Sequence, residues 1–533
     1  MRSTFFGLEL ARLGLWAQQR ALDVTGHNIA NANTEGYSRQ VARLRPTPAY
    51  APPSRSAPAE AGQVGTGVQV VSIDRIRDLF LDRQVRDLRG QLGRWDVRAQ
   101  TLAELETIVG EPSDSGLARA LGDFWDALAV VANRPDSIPA RTAAIEQART
   151  LLERFQSIDR QLADLQRNLD ASIVARVERA NQIATQLADI YRQVRVATAA
   201  GQSPNDLLDE RDRLLEELAT LLPVRVTEGQ GGAVRVEVAG LTLVDGEVVY
   251  ALEARQEPAG AQAGGSQGGS GGTGGSGGTG STGSSGGTGG TGSSGGTGGS
   301  SGSGAAGSST GDLVVRVYWV DGQGNDRLLD DTTLAGGELD GFLEARDRLV
   351  GGLRKDLGEL FFALADKLNE VHRRGYGLND AQGQNGAGRD FFSYTVRGDL
   401  QGVTLNPELD DPANLAAALQ AGAPGDGGNA LALAGLRNAA LNLPGGASAG
   451  DYLESVVADL GIAGRQAEEG QRTTQLLLDQ VTAQRESIRG VSLDEEMTNL
   501  VRFQHAYTAA ARLVTAVDEM LSVLIERTGL VGR

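Results

Sequence analysis

The chain has 533 residues, enough for more than one apolar core, and carries 68 acidic side chains against 50 basic ones for a formal net charge of -18. That balance argues against an extended nucleic-acid or anionic-membrane surface. The absence of cysteine excludes a disulfide framework, a thiolate metal site and a thiol nucleophile, and no run approaches the roughly 20 apolar residues that a membrane helix requires.

In chain order, Met1 to Glu9 shows no basic stretch followed by an unbroken apolar core, so a cleaved signal peptide is not expected. Apolar residues then recur at helical spacing to about Asn31. Leu8, Ala11, Leu15, Leu22 and Ile29 form one row, and Phe6, Leu10, Leu13 and Ala17 a second. Turn-forming residues from Asn31 to Tyr37 end this helix, and Pro46 to Pro58 reads as an extended Pro/Ala/Ser-rich segment. Residues 74 to 222 read as long helices. Ser113 to Ser115 is a cap, Pro135 to Pro139 a boundary, Pro139 to Thr198 one unusually long periodic run, and Ser203-Pro204 the start of a further helix.

Short alternating β-branched runs begin after Pro223, at Val224 to Val226, Val234 to Val238 and Val248 to Tyr250, and resume at Leu313 to Val320. Between them, Gly260 to Gly311 is a Gly/Ser/Thr tract with almost nothing to bury, expected as a disordered surface loop. Helical periodicity returns from Gly337 to about Arg374. Two further helices follow, breaking near Gly490. In the last, Leu500, Phe503, Tyr507, Ala510, Val514, Val517, Leu521 and Leu524 alternate at intervals of three and four, a seam that needs a helical partner.

The expected fold is therefore mainly α with an inserted β domain. The terminal helices pair as a coiled coil, a long-helix bundle fills the middle, and the domains are nested and discontinuous. The expected parts are a terminal pair of 1–40 with 493–533, a helical domain of 41–222 with 336–492, and a β-rich insertion of 223–335 that contains the 260–311 tract.

No catalytic, cofactor or metal site is expected. His27, His372 and His505 are far apart in sequence, and only the first and last, both in terminal helices, have a route to each other. Glycine fingerprints and the Gly268 to Gly272 elbow pattern lie in low-complexity sequence without a flanking strand and helix. Asp494-Glu495-Glu496 follows Ser492 at a helix start, where capping and the positive end of the helix dipole account for it.

The termini carry a more specific signal. Ser3 to Leu8, Val24 to Gln40 with its Thr-Gly-His-Asn-Ile-Ala-Asn core, Gly337 to Leu343, Asn369 to Gly377, and Asp494 to Val501 with Gln504 to Tyr507 resemble the flagellar rod, hook and hook-associated axial proteins. Glu35 stands where relatives often carry proline. The resemblance implies a structural subunit at the hook-filament junction, exported through the flagellar type III apparatus by an uncleaved signal, transiently cytoplasmic and then extracellular. The implied partners are further copies of itself in a ring or short helical layer, the hook protein, a second junction protein and an export chaperone on the C-terminal helix. Nucleic acid and membrane insertion are not implied. A rod or hook subunit, or a surface binding module on the β insertion, are the alternatives. Asn28, Asn31 and Asn33 are expected to close the helix and cap the turn, Gly36 to adopt positive φ, and Tyr37 to complete the motif. The α-helical seam is expected to remain disordered until assembly.

Overall fold

The computed structural model describes residues 5–49, 65–113, 116–229, 232–258, 313–380 and 388–527. The Ser113 to Ser115 cap, most of the Pro46 to Pro58 segment and the Gly/Ser/Thr tract fall wholly or partly outside them.

Ten helices of eight residues or more are present among the described residues: α1 (Phe6–Ala30), α2 (Leu79–Val109), α3 (Leu117–Asn133), α4 (Ile138–Ala199), α5 (Asn205–Leu221), α6 (Gly337–Glu344), α7 (Gly351–Arg374), α8 (Gly428–Gly435), α9 (Ala449–Arg489) and α10 (Leu493–Arg527). The spine is α4, whose 62 residues correspond to about 90 Å at 1.5 Å per residue. Its start is fixed locally, since Ser137 Oγ accepts the Ala140 N–H and Pro139 occupies the first turn, where no N–H is needed. The next helix departs from expectation. It begins at Asn205, with Pro204 rather than Ser203 at the cap position and no side-chain cap hydrogen bond, while Asn205 bonds Gln40 and the Ile73 carbonyl.

Two large apolar cores share α4. Its first half, from Ala144 to Leu169, packs with α3, α7, the 391–443 segment and the start of α9. Its second half, from Ile173 to Val194, packs with α5, α6 and the β region. That region holds an antiparallel sheet of β3 (Val224–Glu228), β4 (Val234–Val238), β5 (Leu241–Asp245) and β6 (Val248–Val249), beside a three-stranded sheet of β7 (Ala251–Pro258), β8 (Leu313–Val320) and β9 (Asp326–Leu329). Alternation places Val234, Val236 and Val238 inward and their neighbours outward. A π-helical segment, Ala345–Val350, joins α6 to α7 and turns Arg346 into the interior, where it bonds Asp170 of α4 and the Val315 carbonyl of β8.

α2 and α9 run antiparallel. Leu81, Val85 and Leu88 meet Leu478 and Val481, while Gln471 bonds Asp96 at 2.9 Å. In the first core, His372 is fully buried. Its Nδ1 donates to the Arg389 carbonyl at 2.9 Å and its Nε2 accepts the Ala416 N–H at 3.0 Å, so the ring is held as one neutral tautomer. Burial pushes its pKa down to about 4.

One feature was not anticipated: a hairpin of β1 (Gln40–Pro46) and β2 (Val68–Arg75), whose strands flank the Pro46 to Pro58 segment, lies against α1. The three apolar clusters take no residue from α1 or α10, which form a separate helix pair.

Candidate functional site

In the terminal pair, each seven-residue step along α1 is matched by a seven-residue step back along α10. A methyl group on Gly7 would lie 3.3 Å from Val517, one on Gly14 would lie 3.8 Å from Ala510, and Asn28 bonds Glu496 at 3.2 Å. Ala21 falls opposite Phe503 in the same register. The buried side chains of α1 are small or polar: Ala11, Ala17, Ala21, Val24, Thr25 and Asn28. Small residues let two backbones approach closely, but they bury little apolar area, so this seam alone supplies little of the hydrophobic stabilisation that the other cores provide.

The larger residues singled out from the sequence flank that seam. Phe6, Leu8, Leu10, Leu13, Leu15, Leu22 and Ile29 are half-buried, and Leu13 also supports the β1–β2 hairpin beneath Gly67. On α10, Val517 is buried; Leu500, Phe503, Val514 and Leu521 are half-buried; Tyr507 is 37% exposed, with Ala506 turned further inward. The side chain of Leu524 is outside the described residues. The α10 seam is therefore covered in part by α1 of its own chain.

Asn28 is the hub where the pair meets the rest of the chain. Its Oδ1 accepts the Gln40 N–H at 2.9 Å and the Tyr37 hydroxyl at 2.8 Å, and its Nδ2 donates to the Gln40 carbonyl at 2.9 Å and to Glu496. The amide thus pairs with the Gln40 backbone as a neighbouring strand would. Burial, then the nearby charges of Asp206, Asp209 and Glu496, push the Tyr37 pKa up, which keeps its hydroxyl a donor. Glu496 is almost fully buried between Asn28 and Arg39, with Arg39 Nε at 2.8 Å. It is an inter-helix bridge rather than a capping carboxylate. Asn31 does work locally, donating to the His27 carbonyl at 3.0 Å and accepting from Thr34. Asn33 is exposed with no side-chain hydrogen bond among the described residues, and Gly36 takes φ +83. His27 pairs with Asp206 at 3.3 Å and stacks edge-on against Tyr37; the structure does not bring it to His505, which is exposed.

From this hub a network of charges enters the helical body. Ser38 N–H bonds Asp209, and Asn205 bonds both Gln40 and the Ile73 carbonyl. Arg75 bridges Asp209 and Asp212 at 2.7 and 2.9 Å; Arg77 reaches Asp82, Asp212 and Glu228; Arg485 of α9 closes on Glu216. Burial raises the Asp212 pKa, but Arg211, Arg75 and Arg77 together outweigh it and hold the carboxylate below its ordinary value. These arginine pairs carried no signal in the sequence, because each joins residues more than a hundred positions apart or lies within a general excess of arginine. Among the described residues no group of His, Asp or Glu is arranged to hold a metal ion.

Comparison with known proteins agrees with this geometry. The family described as flagellar hook-associated protein FlgK helical domain matches residues 102–296 and 289–392. The flagella basal body rod protein family matches 8–37, and the flagellar basal body rod FlgEFG protein C-terminal family matches 486–527. Flagellar hook-associated protein 1 of Bacillus subtilis is 32% identical over the full length of both chains. The Escherichia coli protein of that name is 25% identical, over 97% of this chain and 98% of its own. The flagellar hook junction protein FlgK from Burkholderia pseudomallei shares the fold at TM-score 0.60 and 16% identity, covering 77% of this chain and all of that one. A mostly helical body with small sheets, carrying rod-type segments at both ends, defines a structural protein of the bacterial flagellum. Within that class, the chain belongs to the flagellar hook-associated protein 1 family.

Proposed function

We propose that this chain is the subunit that joins hook to filament, working by packing rather than by catalysis. The observation that carries the proposal is the terminal pair. Its inner seam is closed by Gly7, Gly14 and Asn28 against Val517, Ala510 and Glu496, while apolar side chains on its outer faces stay uncovered, Trp16 at 67% exposure and Ile525 at 80% among them. Such a pair is thin in the free chain and gains apolar burial when a second copy packs on it.

In this reading α1 and α10 form an antiparallel coiled coil, with Phe6, Leu8, Leu10, Leu13, Leu15, Leu22 and Ile29 dividing between the hairpin and neighbouring copies. Domains nest outward from the terminal pair and hairpin, through the helical body, to the 223–335 insertion. The subunit leaves the cytoplasm unfolded through the type III apparatus, with a chaperone on α10, then folds at the distal end of the hook. There it forms a ring or short helical layer between the hook protein and a second junction protein. A rod or hook subunit would share the end segments at 8–37 and 486–527, but the match to the helical domain over 102–392 favours the junction.

The test is a chain truncated before Tyr507. Junction assembly and filament growth should be lost while α2 to α9 keep their helical circular dichroism. Normal filaments from that truncation overturn the proposal, and labelling along the hook shaft rather than at its tip would favour the rod or hook reading.

A further inference from the structure

Most arginines of this chain are committed to carboxylates, but three that are not converge on one cavity. Arg83 and Arg86 of α2 and Arg225 of β3 line a cleft of about 520 Å³, floored by Gly90 and Gly336. None of the three makes a hydrogen bond or ion pair among the described residues, whereas Arg75, Arg77, Arg89, Arg211 and Arg485 nearby all do. We infer that this cleft is a binding site for a multi-oxygen anion, a carboxylate or phosphate class of ligand, held by these three guanidinium groups.

The cleft's shape follows from local structure. Gly90 packs against the Ala219 carbonyl of α5, where a methyl group would come within 2.9 Å, and Gly336 takes φ +128, so neither wall carries a side chain to fill the space. Arg83 and Arg86 are one helical turn apart on α2 and share a face. Arg225 reaches in from the outward-facing side of β3, where strand alternation exposes it.

The nearest carboxylates are already taken. Asp82 is held by Arg77, Asp212 by Arg75, Arg77 and Arg211, and Glu228 by Arg77 and Arg211. They act on Arg86 only at longer range, while its partial burial pushes its pKa down. A half-buried guanidinium without a partner is costly, and its planar fork of donors matches a carboxylate or phosphate edge. Asp87 is the one acidic residue in the lining, exposed at the rim. The site therefore keeps a positive excess on a chain of net charge -18. Two sources share the required chemistry: a free polyanion, or an acidic side chain of an adjoining copy.

The experiment uses the full-length monomer, titrated calorimetrically with citrate against sodium chloride at matched ionic strength. Citrate should bind once per chain, about tenfold more weakly in Arg86→Gln, in line with losing one charge-assisted contact. Asp87→Asn should bind it more tightly, since a like charge leaves the rim. Arg83→Gln, at an exposed position, repeats the test without touching a buried group, and Arg465→Gln, an α9 arginine with no ion pair among the described residues, should bind as the parent does. Self-association at high protein concentration that citrate reverses identifies a second copy as the source; citrate binding without such competition identifies a free anion. No citrate-specific binding, or equal binding by the parent, Arg86→Gln and Arg83→Gln, overturns the inference.

Discussion

Replacing Asn28 by alanine removes one buried side chain and four hydrogen bonds: from the Gln40 N–H and the Tyr37 hydroxyl to its Oδ1, and from its Nδ2 to the Gln40 carbonyl and Glu496. Glu496 keeps Arg39, but the two Gln40 backbone groups lose partners that no other side chain can supply. At about 1 kcal/mol net for each of the two Gln40 bonds and the Tyr37 bond, the end of α1 and the start of β1 should come loose by about 3 kcal/mol. One factor of ten per 1.4 kcal/mol converts that to roughly 100-fold faster amide exchange at Gln40 and its β1 neighbours, measured by hydrogen exchange on the full-length protein. Asn33→Ala, in the same motif but exposed, should leave those rates unchanged. An Asn28→Ala chain whose Gln40 exchange rises less than about threefold would refute the reasoning that this amide fastens the terminal pair to the body.

Two further outcomes are expected. His372, held neutral with its pKa lowered to about 4, binds fewer protons folded than unfolded, so its contribution is present above pH 6.5 and is lost as the pH falls from 6.5 to 4. Buried Asp340, pushed up to about 6, has the opposite sign over a similar window. Relative to the parent, stability from urea unfolding between pH 4 and 6.5 should therefore gain on acidification in His372→Gln and lose in Asp340→Asn, each by about 3 kcal/mol at most. In the helix pair, Gly14→Ala fits within the 3.8 Å gap to Ala510 and should stabilise α1 by about 0.5 to 1 kcal/mol, whereas Gly14→Leu overfills the gap and should cost about 1 to 3 kcal/mol. Exchange protection of α10 in the two variants reads the difference; equal protection would mean the seam is not close-packed there.

Much of the helical frame was legible because its signals are local. Ser137 and Pro139 announce the start of α4, the break between α9 and α10 falls at Gly490, and the strands at 224, 234 and 313 alternate in plain view. The terminal seam was legible only in part. Gly7, Gly14 and Ala21 carry too little hydrophobicity to stand out beside Leu8, Leu15 and Leu22, so the larger side chains drew attention to faces beside the contact. Glu496 was misread for the opposite reason: a carboxylate in a first helical turn already has a sufficient local cause, and nothing local reveals that Asn28 lies across from it. The β1–β2 hairpin was hidden by the Pro/Ala/Ser-rich sequence that separates its two strands, and the Arg75 network depends wholly on long-range contact.

The unbroken run of α4 through both large cores also has a mechanical meaning. Where two cores are joined by a loop, torque applied to one is absorbed by a few soft backbone dihedrals. Here a twist of either core must turn a continuous ladder of helical hydrogen bonds whose side chains are packed at both ends, Leu162 in one and Leu187 in the other. The helix behaves as a drive shaft rather than a coupling, and the two cores rotate as a unit under load.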